Sequence, residues 1–132
     1  MRNRFLRHFS FSFSLLLLMV FPSLAHHSFA AEYDANKPIT LKGVVAKVEW
    51  TNPHIRFYID VKSQGGATAR WEISGPSVNS LARNGEKKDS LKIGEMVTVD
   101  GFLARYVKNL ANMKTVKSVD GKILLDRIGD QQ

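Results

Sequence analysis

Residues 39–61, ITLKGVVAKVEWTNPHIRFYIDV, decide the fold because they contain two strand patterns joined by the turn Thr51-Asn52-Pro53. Residues 39–50 are rich in β-branched side chains, and Gly43 marks a point where a strand can bend or bulge. Residues 54–61 alternate, with Ile55, Phe57, Ile59 and Val61 on one face and His54, Arg56, Tyr58 and Asp60 on the other. This alternation predicts a half-buried strand with Phe57 and Ile59 in the core and Tyr58 facing solvent or a ligand.

The next segment predicts a returning strand and then a short helix. After a loop at residues 63–66, the strand covers residues 67–74, and its inward side chains are Ala69, Trp71 and Ile73. Pro76 suits the first turn of a helix and Gly85 suits its end. Between them lies an apolar stripe formed by Val78, Leu81 and Ala82.

Three more strands are predicted, at residues 96–103, 113–119 and 122–125, with a polar connection at 104–112 and a hairpin at Asp120-Gly121. The order strand-strand-strand-helix-strand-strand, with a first strand long enough to bend, is typical of the OB-fold, a small Greek-key barrel. The predicted class is all-β: an OB-fold-like barrel of five to six strands with one short helix between strands three and four. The nearest rival, an SH3-like barrel, does not account for that helix. Residues 39–125 would form the barrel and residues 126–132 a frayed tail.

Residues 1–25 predict a secretory signal peptide. Arg2, Arg4 and Arg7 precede an apolar run at residues 9–21, and Ser23-Leu24-Ala25 supplies the small residues of a cleavage site. Cleavage after Ala25 predicts an exported, periplasmic protein whose first residues, 26–38, form an N-terminal segment. A cut after Ala30 also satisfies the small-residue rule but lies farther from the apolar run. The run is shorter than the ~20 residues of a membrane-spanning helix.

The composition limits the classes of function. Removing the signal leaves 132 − 25 = 107 residues, enough for one small domain. The signal contains three of the 19 basic residues and none of the 12 acidic ones, so the remaining charge is 16 − 12 = +4. These basic residues are spread along the chain, whereas nucleic-acid-binding proteins usually present a clustered basic stripe. The chain has no cysteine, so thiol chemistry is excluded and the domain depends on its core for stability.

Four stretches resemble a known family: HHSFAAEYD at 26–34, WTNPH at 50–54, Gly75-Pro76, and LKIGEMVTVDG at 91–101. They look like the DUF6152 family of small exported bacterial proteins, and the resemblance covers essentially the whole chain after the signal. The chain departs from the family pattern at Glu86, where a tryptophan is common, and at Glu95, where an aspartate is common. The resemblance implies an exported location and supports the fold, but the family has no established activity.

Three histidines survive a cut after Ala25, namely His26, His27 and His54. The α-amine and imidazole of His26 can chelate a metal, and an imidazole from His54 or His27 would add a third nitrogen. Nitrogen-rich tetragonal coordination suits Cu(II), so copper is the candidate cofactor and no other is expected. A second arrangement uses the amine together with the amide and imidazole of His27. In the metal-free interpretation the terminal histidines are solvated, and His54 stabilises its turn through a backbone hydrogen bond.

Ligands of OB-folds usually meet the second and third strands and the loops after the first and fourth. Here those places are residues 50–54, the polar face of strands two and three, and residues 104–112. The ligand-face candidates are Trp50, Asn52, Arg56, Tyr58 and Arg70. No serine has the glycines of a nucleophile elbow, and the carboxylates show no pairing motif, so a hydrolase is not expected.

The sequence therefore predicts an exported domain that binds rather than catalyses, with copper held between the new amino terminus and the turn at residues 50–54. One alternative is a metal-free OB-fold interaction module that binds an envelope protein or polymer. Another is a copper oxidoreductase built on a histidine brace. A nucleic-acid partner is not expected for an exported protein, and no membrane span is expected after cleavage.

Overall fold

A computed structural model describes residues 29–127, so the predicted signal peptide, His26 and His27 lie outside the described residues. The described chain is dominated by strands. Its elements are α1 (Phe29–Glu32), β1 (Tyr33–Glu49), β2 (Arg56–Lys62), β3 (Thr68–Ser74), α2 (Val78–Arg83), a 3₁₀ turn (Lys88–Ser90), β4 (Met96–Ala104), β5 (Leu110–Ser118) and β6 (Ile123–Asp126).

β1 is long enough to pair with two strands. Its first part is antiparallel to β4, with the pairs running from Tyr33 and Ala104 to Val44 and Met96. Its second part is antiparallel to β2, and there the pairing ends at Glu49 and Arg56. One strand thus bends across two sides of the barrel.

A parallel pairing between β3 and β5 closes the barrel. β2 pairs with β3, and β4 pairs with β5, both antiparallel. Residues Glu72, Ile73 and Ser74 of β3 then lie beside Leu110, Ala111 and Asn112 of β5. The closed order β1-β2-β3-β5-β4, with α2 between β3 and β4, is the topology of the OB-fold. The predicted fold is confirmed, and β6 adds a sixth strand to the outside of β5.

Two strands begin earlier than predicted. β1 starts at Tyr33 rather than at residue 39, and β5 starts at Leu110 rather than at residue 113. The β1 extension at residues 33–38 is mostly polar, and the β5 extension at residues 110–112 is short. Both are paired with strands that lie far away in the sequence, and such pairing outweighs local propensity. The register shifts in β1 lie between Tyr33 and Pro38 and between Val45 and Lys47, not at Gly43.

The core consists of the inward faces of the strands, Leu81 of the helix, and the loop residues Ile55 and Leu91. Phe57, Ile59, Ile73 and Leu81 are completely buried, whereas Tyr58 is half-buried, so the predicted phase of β2 is confirmed. Trp71 is half-buried and packs against this core. The predicted stripe of α2 was wrong at Ala82, which is exposed because this helix of one and a half turns buries only Ser80 and Leu81.

The helices of the described part are short. Within residues 29–127, none is long and apolar enough to cross a membrane.

Candidate functional site

Three connections meet at one end of the barrel, which we call the loop end. They are the turn at residues 50–55, the β3–α2 connection at 75–77 and the β4–β5 loop at 105–109. They lie together because Ser74 at the end of β3 pairs with Arg56 at the start of β2 and with Asn112 near the start of β5. Asn112 in turn pairs with Phe102 near the end of β4. The loop end combines backbone from four strands on one small surface.

The turn at residues 50–55 presents His54 at the loop end. Ile55 is buried, its N–H donates to the carbonyl of Pro76 at 3.0 Å, and its own carbonyl accepts from Gly75 N–H at 3.0 Å. Trp50 is half-buried and packs against the core, whereas His54 is exposed. Asn52 is also exposed, and its peptide bond to Pro53 is cis. Trp50 and Ile55 therefore fix the two ends of the turn, and the side chain of His54 is exposed to solvent between them.

The first described residues pack against the same region. The ring of Phe29 stacks on Tyr33 with centroids 5.5 Å apart and meets the ring of Phe102 edge to face at 5.6 Å. The guanidinium carbon of Arg127 lies 4.9 Å from the centroid of the Phe29 ring. An aromatic side chain thus anchors α1 to the barrel.

Arg105, the first residue of the β4–β5 loop, binds the same segment through three groups. Its N–H donates to the carbonyl of Glu32 at 2.9 Å, and its Nε donates to the carbonyl of Ala30 at 2.8 Å. Its terminal nitrogen lies 3.4 Å from Oδ2 of the buried Asp34. The N-terminal segment is therefore fixed to the loop end by backbone and side-chain bonds together.

A chain of hydrogen bonds links the N-terminal segment to β3 and β5. The hydroxyls of Tyr33 and Ser74 are 2.7 Å apart, and the amide of Asn112 donates to Ser74 Oγ at 2.8 Å. Arg127 in turn donates to Asn112 Oδ1 at 2.6 Å. Burial raises the pKa of Tyr33 above its usual value of 10.0. Ser74 is the strand partner of Arg56, so this chain ends beside the start of β2, close in sequence to His54.

The structure describes only one of the three predicted metal ligands. Residues 29–127 contain no group of three or more His, Cys, Asp or Glu side chains that could hold a metal ion. Of the predicted set only His54 lies within this range, and His26 and His27 lie just before it. The structure thus leaves the copper prediction dependent on residues that precede Phe29.

The exposed face of β2 and β3 carries charges that are already paired. Arg70 binds both carboxylate oxygens of Asp60, at 2.9 and 3.0 Å, and this holds the pKa of Asp60 below its usual value. Arg56 lies 3.6 Å from Glu72. The predicted ligand-face arginines therefore do not form an unpaired cationic track, while Tyr58 is half-buried on the same face.

Sequence reasoning missed the most exposed aromatic side chain of the described residues. Tyr106 is 88% exposed and Val107 is 58% exposed, both in the β4–β5 loop. The sequence placed residues 104–112 among the regions where a ligand would bind, but it singled out no side chain there. An adjacent aromatic and aliphatic pair inside a loop was the signal that could have drawn attention to them.

The opposite end of the barrel has an open cavity of about 470 Å³ near the start of β4 and the end of β5. Glu86 lies on its wall, and its carboxylate accepts a hydrogen bond from Asp126 N–H at 2.7 Å. The second oxygen, Oε2, is buried and has no hydrogen-bond partner within residues 29–127, and burial raises the pKa of Glu86 above 4.5. Glu86, one of the two positions at which the chain departs from the family pattern, thus connects the segment after α2 to β6 through this hydrogen bond.

Comparisons with known proteins found one matching family and several solved structures of similar fold. A family model described as a family of unknown function, DUF6152, matches residues 15–111. No curated protein sequence matches the chain. Among solved structures, Rim1, a mitochondrial single-stranded DNA binding protein from S. cerevisiae, is similar with a TM-score of 0.48 and 13% identity, over 68% of this chain and 95% of that chain. The N-terminal domain of the PriB protein from Thermoanaerobacter tencongensis is similar with a TM-score of 0.48 and 19% identity, over 64% and 97% respectively.

Proposed function

The chain belongs to the DUF6152 family, and we propose that it is an exported, periplasmic binding domain whose ligand is copper, held at the loop end. The ligands would be the α-amine and imidazole of His26 and the imidazole of His54. His27 supplies the alternative imidazole. The role is binding rather than catalysis.

The packing of Phe29 supports cleavage after Ala25. A cut after Ala30 would remove Phe29, whose ring contacts Tyr33, Phe102 and Arg127. It would also remove the Ala30 carbonyl that accepts from Arg105. A folded protein that uses these contacts needs them after processing. Mass spectrometry of the exported protein should find His26 as its first residue, and a start at Ala31 would overturn the site in this form.

The observation that carries the copper proposal is the hydrogen bond between Tyr33 and Ser74, because it ties the N-terminal segment to the end of β3. Ser74 is paired with Arg56, two residues after His54. His26 precedes the anchored Phe29 by three residues, a reach of roughly 10 Å when extended. The new amino terminus and His54 would then share the loop end. Three nitrogen ligands of this kind suit Cu(II).

Copper titration of the processed protein tests the shared site. His54→Ala, and separately one glycine added before His26, should each weaken binding strongly and alter the copper spectrum. Thr51→Ala, on the same exposed turn but without a ligating nitrogen, is the matched control and should change neither. Binding should also weaken as the pH falls through the imidazole range, because both the amine and the imidazoles must be deprotonated to bind.

The second candidate is a metal-free interaction module for an envelope protein or polymer. The paired charges of the β2–β3 face favour it, since alternating Arg56, Glu72, Asp60 and Arg70 offer a partner both signs of charge. If His54→Ala leaves copper affinity and spectrum unchanged, the terminus chelates alone and the interaction module becomes the better explanation.

A further inference from the structure

We propose that the β4–β5 loop is a docking tip for an anionic lipid surface. The loop consists of Arg105, Tyr106, Val107, Lys108 and Asn109. Its two apolar side chains are adjacent in sequence and are 88% and 58% exposed. Two adjacent exposed apolar side chains offer a partner a small contact surface.

Main-chain hydrogen bonds fix both ends of this loop. Arg105 N–H donates to the carbonyl of Glu32 at 2.9 Å, and Glu72 N–H donates to the carbonyl of Asn109 at 2.9 Å. Asn109 adopts a φ of 55°, a left-handed conformation that asparagine tolerates better than most residues. Both ends of the loop are therefore fixed before a partner arrives, and docking costs little conformational freedom.

The charge and chemistry of the loop favour lipid. Arg105 and Lys108 are cationic, and residues 104–109 include no acidic side chain. Arg105 is partly neutralised by Asp34 at 3.4 Å, whereas Lys108 belongs to no ion pair among the described residues. Tyrosine rings are favoured at the level of lipid headgroups, and a neighbouring ammonium group is attracted to anionic headgroups. Tyr106 and Val107 would enter the interface while Lys108 stays among the headgroups.

Two other partners fit the structure less well. Single-stranded nucleic acid is held along a cationic groove, but Arg56 and Arg70 on the adjoining face are already paired with carboxylates. A second copy docking through the same tip would place Lys108 near its own symmetry mate, which is unfavourable for like charges. The proposal does not depend on copper.

Sedimentation of the processed protein with vesicles tests the inference. We expect binding to vesicles of phosphatidylcholine mixed with phosphatidylglycerol, no binding to phosphatidylcholine alone, and weaker binding as the salt concentration rises. The double variant Tyr106→Ala/Val107→Ala should lower binding by about tenfold or more, and Lys108→Gln by a smaller factor. Ile93→Ala/Val119→Ala is the matched control, because it removes two apolar side chains of similar exposure, 72% and 71%, outside the loop.

Failure to bind the mixed vesicles overturns the proposal, and so does an equal loss of binding in the control variant. A single-stranded oligonucleotide that binds more tightly than the mixed vesicles, through Tyr106, would overturn it in favour of nucleic acid. Unfolding midpoints of both double variants should match the parent protein, since all four side chains are exposed. A negative copper titration leaves this result unaffected, so the two proposals fail separately.

Discussion

The hydroxyls of Tyr33 and Ser74 lie 2.7 Å apart although 41 residues separate them in the chain. Tyr33 is buried at the start of β1, and Ser74 closes β3. Asn112 of β5 donates to the same Ser74 oxygen, so three strands meet at one side chain. This contact connects the closure of the barrel to the position of the N-terminal segment.

Tyr33→Phe should lower the free energy of unfolding by about 1 kcal/mol, because it removes one side-chain hydrogen bond and leaves the ring packed on Phe29. Urea unfolding measures the change. Tyr106→Phe is the matched control, since its hydroxyl is in solvent and forms no hydrogen bond among the described residues. Equal effects of the two substitutions would contradict a specific role for the bond.

Phe57→Ala should cost on the order of 3–5 kcal/mol, and Tyr58→Ala much less. Phe57 is completely buried among core residues from several strands, whereas its neighbour Tyr58 faces outward with Lys47 5.4 Å from its ring. Chemical denaturation of both variants provides the comparison. Similar losses at the two positions would mean that the face of β2 has been assigned wrongly.

Gly43→Ala should destabilise the barrel by about 1–3 kcal/mol, because a Cβ at this position would lie 2.7 Å from the carbonyl oxygen of Asp60. The backbone of β2 must then move away from β1. Gly65→Ala in the β2–β3 loop is the control, since its Cβ would meet only Ser63 Oγ at 3.9 Å. Thermal unfolding of the pair should show a lower midpoint for Gly43→Ala alone.

Glu86→Gln should reduce the pH dependence of stability above pH 4.5. Burial raises the pKa of Glu86, so the folded protein holds this proton more tightly than the unfolded chain. Its contribution is therefore fully present below the usual pKa of 4.5 and is lost as the pH rises through the raised pKa of the folded state. Glutamine keeps an oxygen for Asp126 N–H without the desolvated charge.

Urea midpoints measured across this pH range test the assignment. Glu86→Ala serves as a second variant, because it also removes the acceptor of Asp126 N–H and should be less stable than Glu86→Gln at every pH. An unchanged pH profile in Glu86→Gln would show that another group is responsible.

The sequence was sufficient for features that repeat locally. The alternation around Phe57 gave the phase of β2, and the apolar residue Leu81 identified the buried side of α2. It could not reveal that Tyr33 begins a strand, because polar residues follow Tyr33 and its partner Ala104 lies far along the chain. The contact of Tyr33 with Ser74 is equally non-local. No local period encodes such pairings, and they build most of the loop end.

The position of Tyr106 could not be predicted for a different reason. A loop side chain is exposed or covered according to how its ends are fixed, and here those ends are bonded to Glu32 and Glu72. Both partners are backbone groups, which carry no signature in the sequence.

The pairing of β1 with β4 also sets when the protein can fold. Thr40 donates a hydrogen bond to Asp100 across 60 residues of chain, and such distant pairing makes folding slow. At ~5–20 residues per second of synthesis, β4 appears roughly 3–12 s after the β1 residue that it must meet. During that interval β1 lacks one of its two neighbours and the barrel stays open. The barrel can therefore close only after most of the chain has been synthesised.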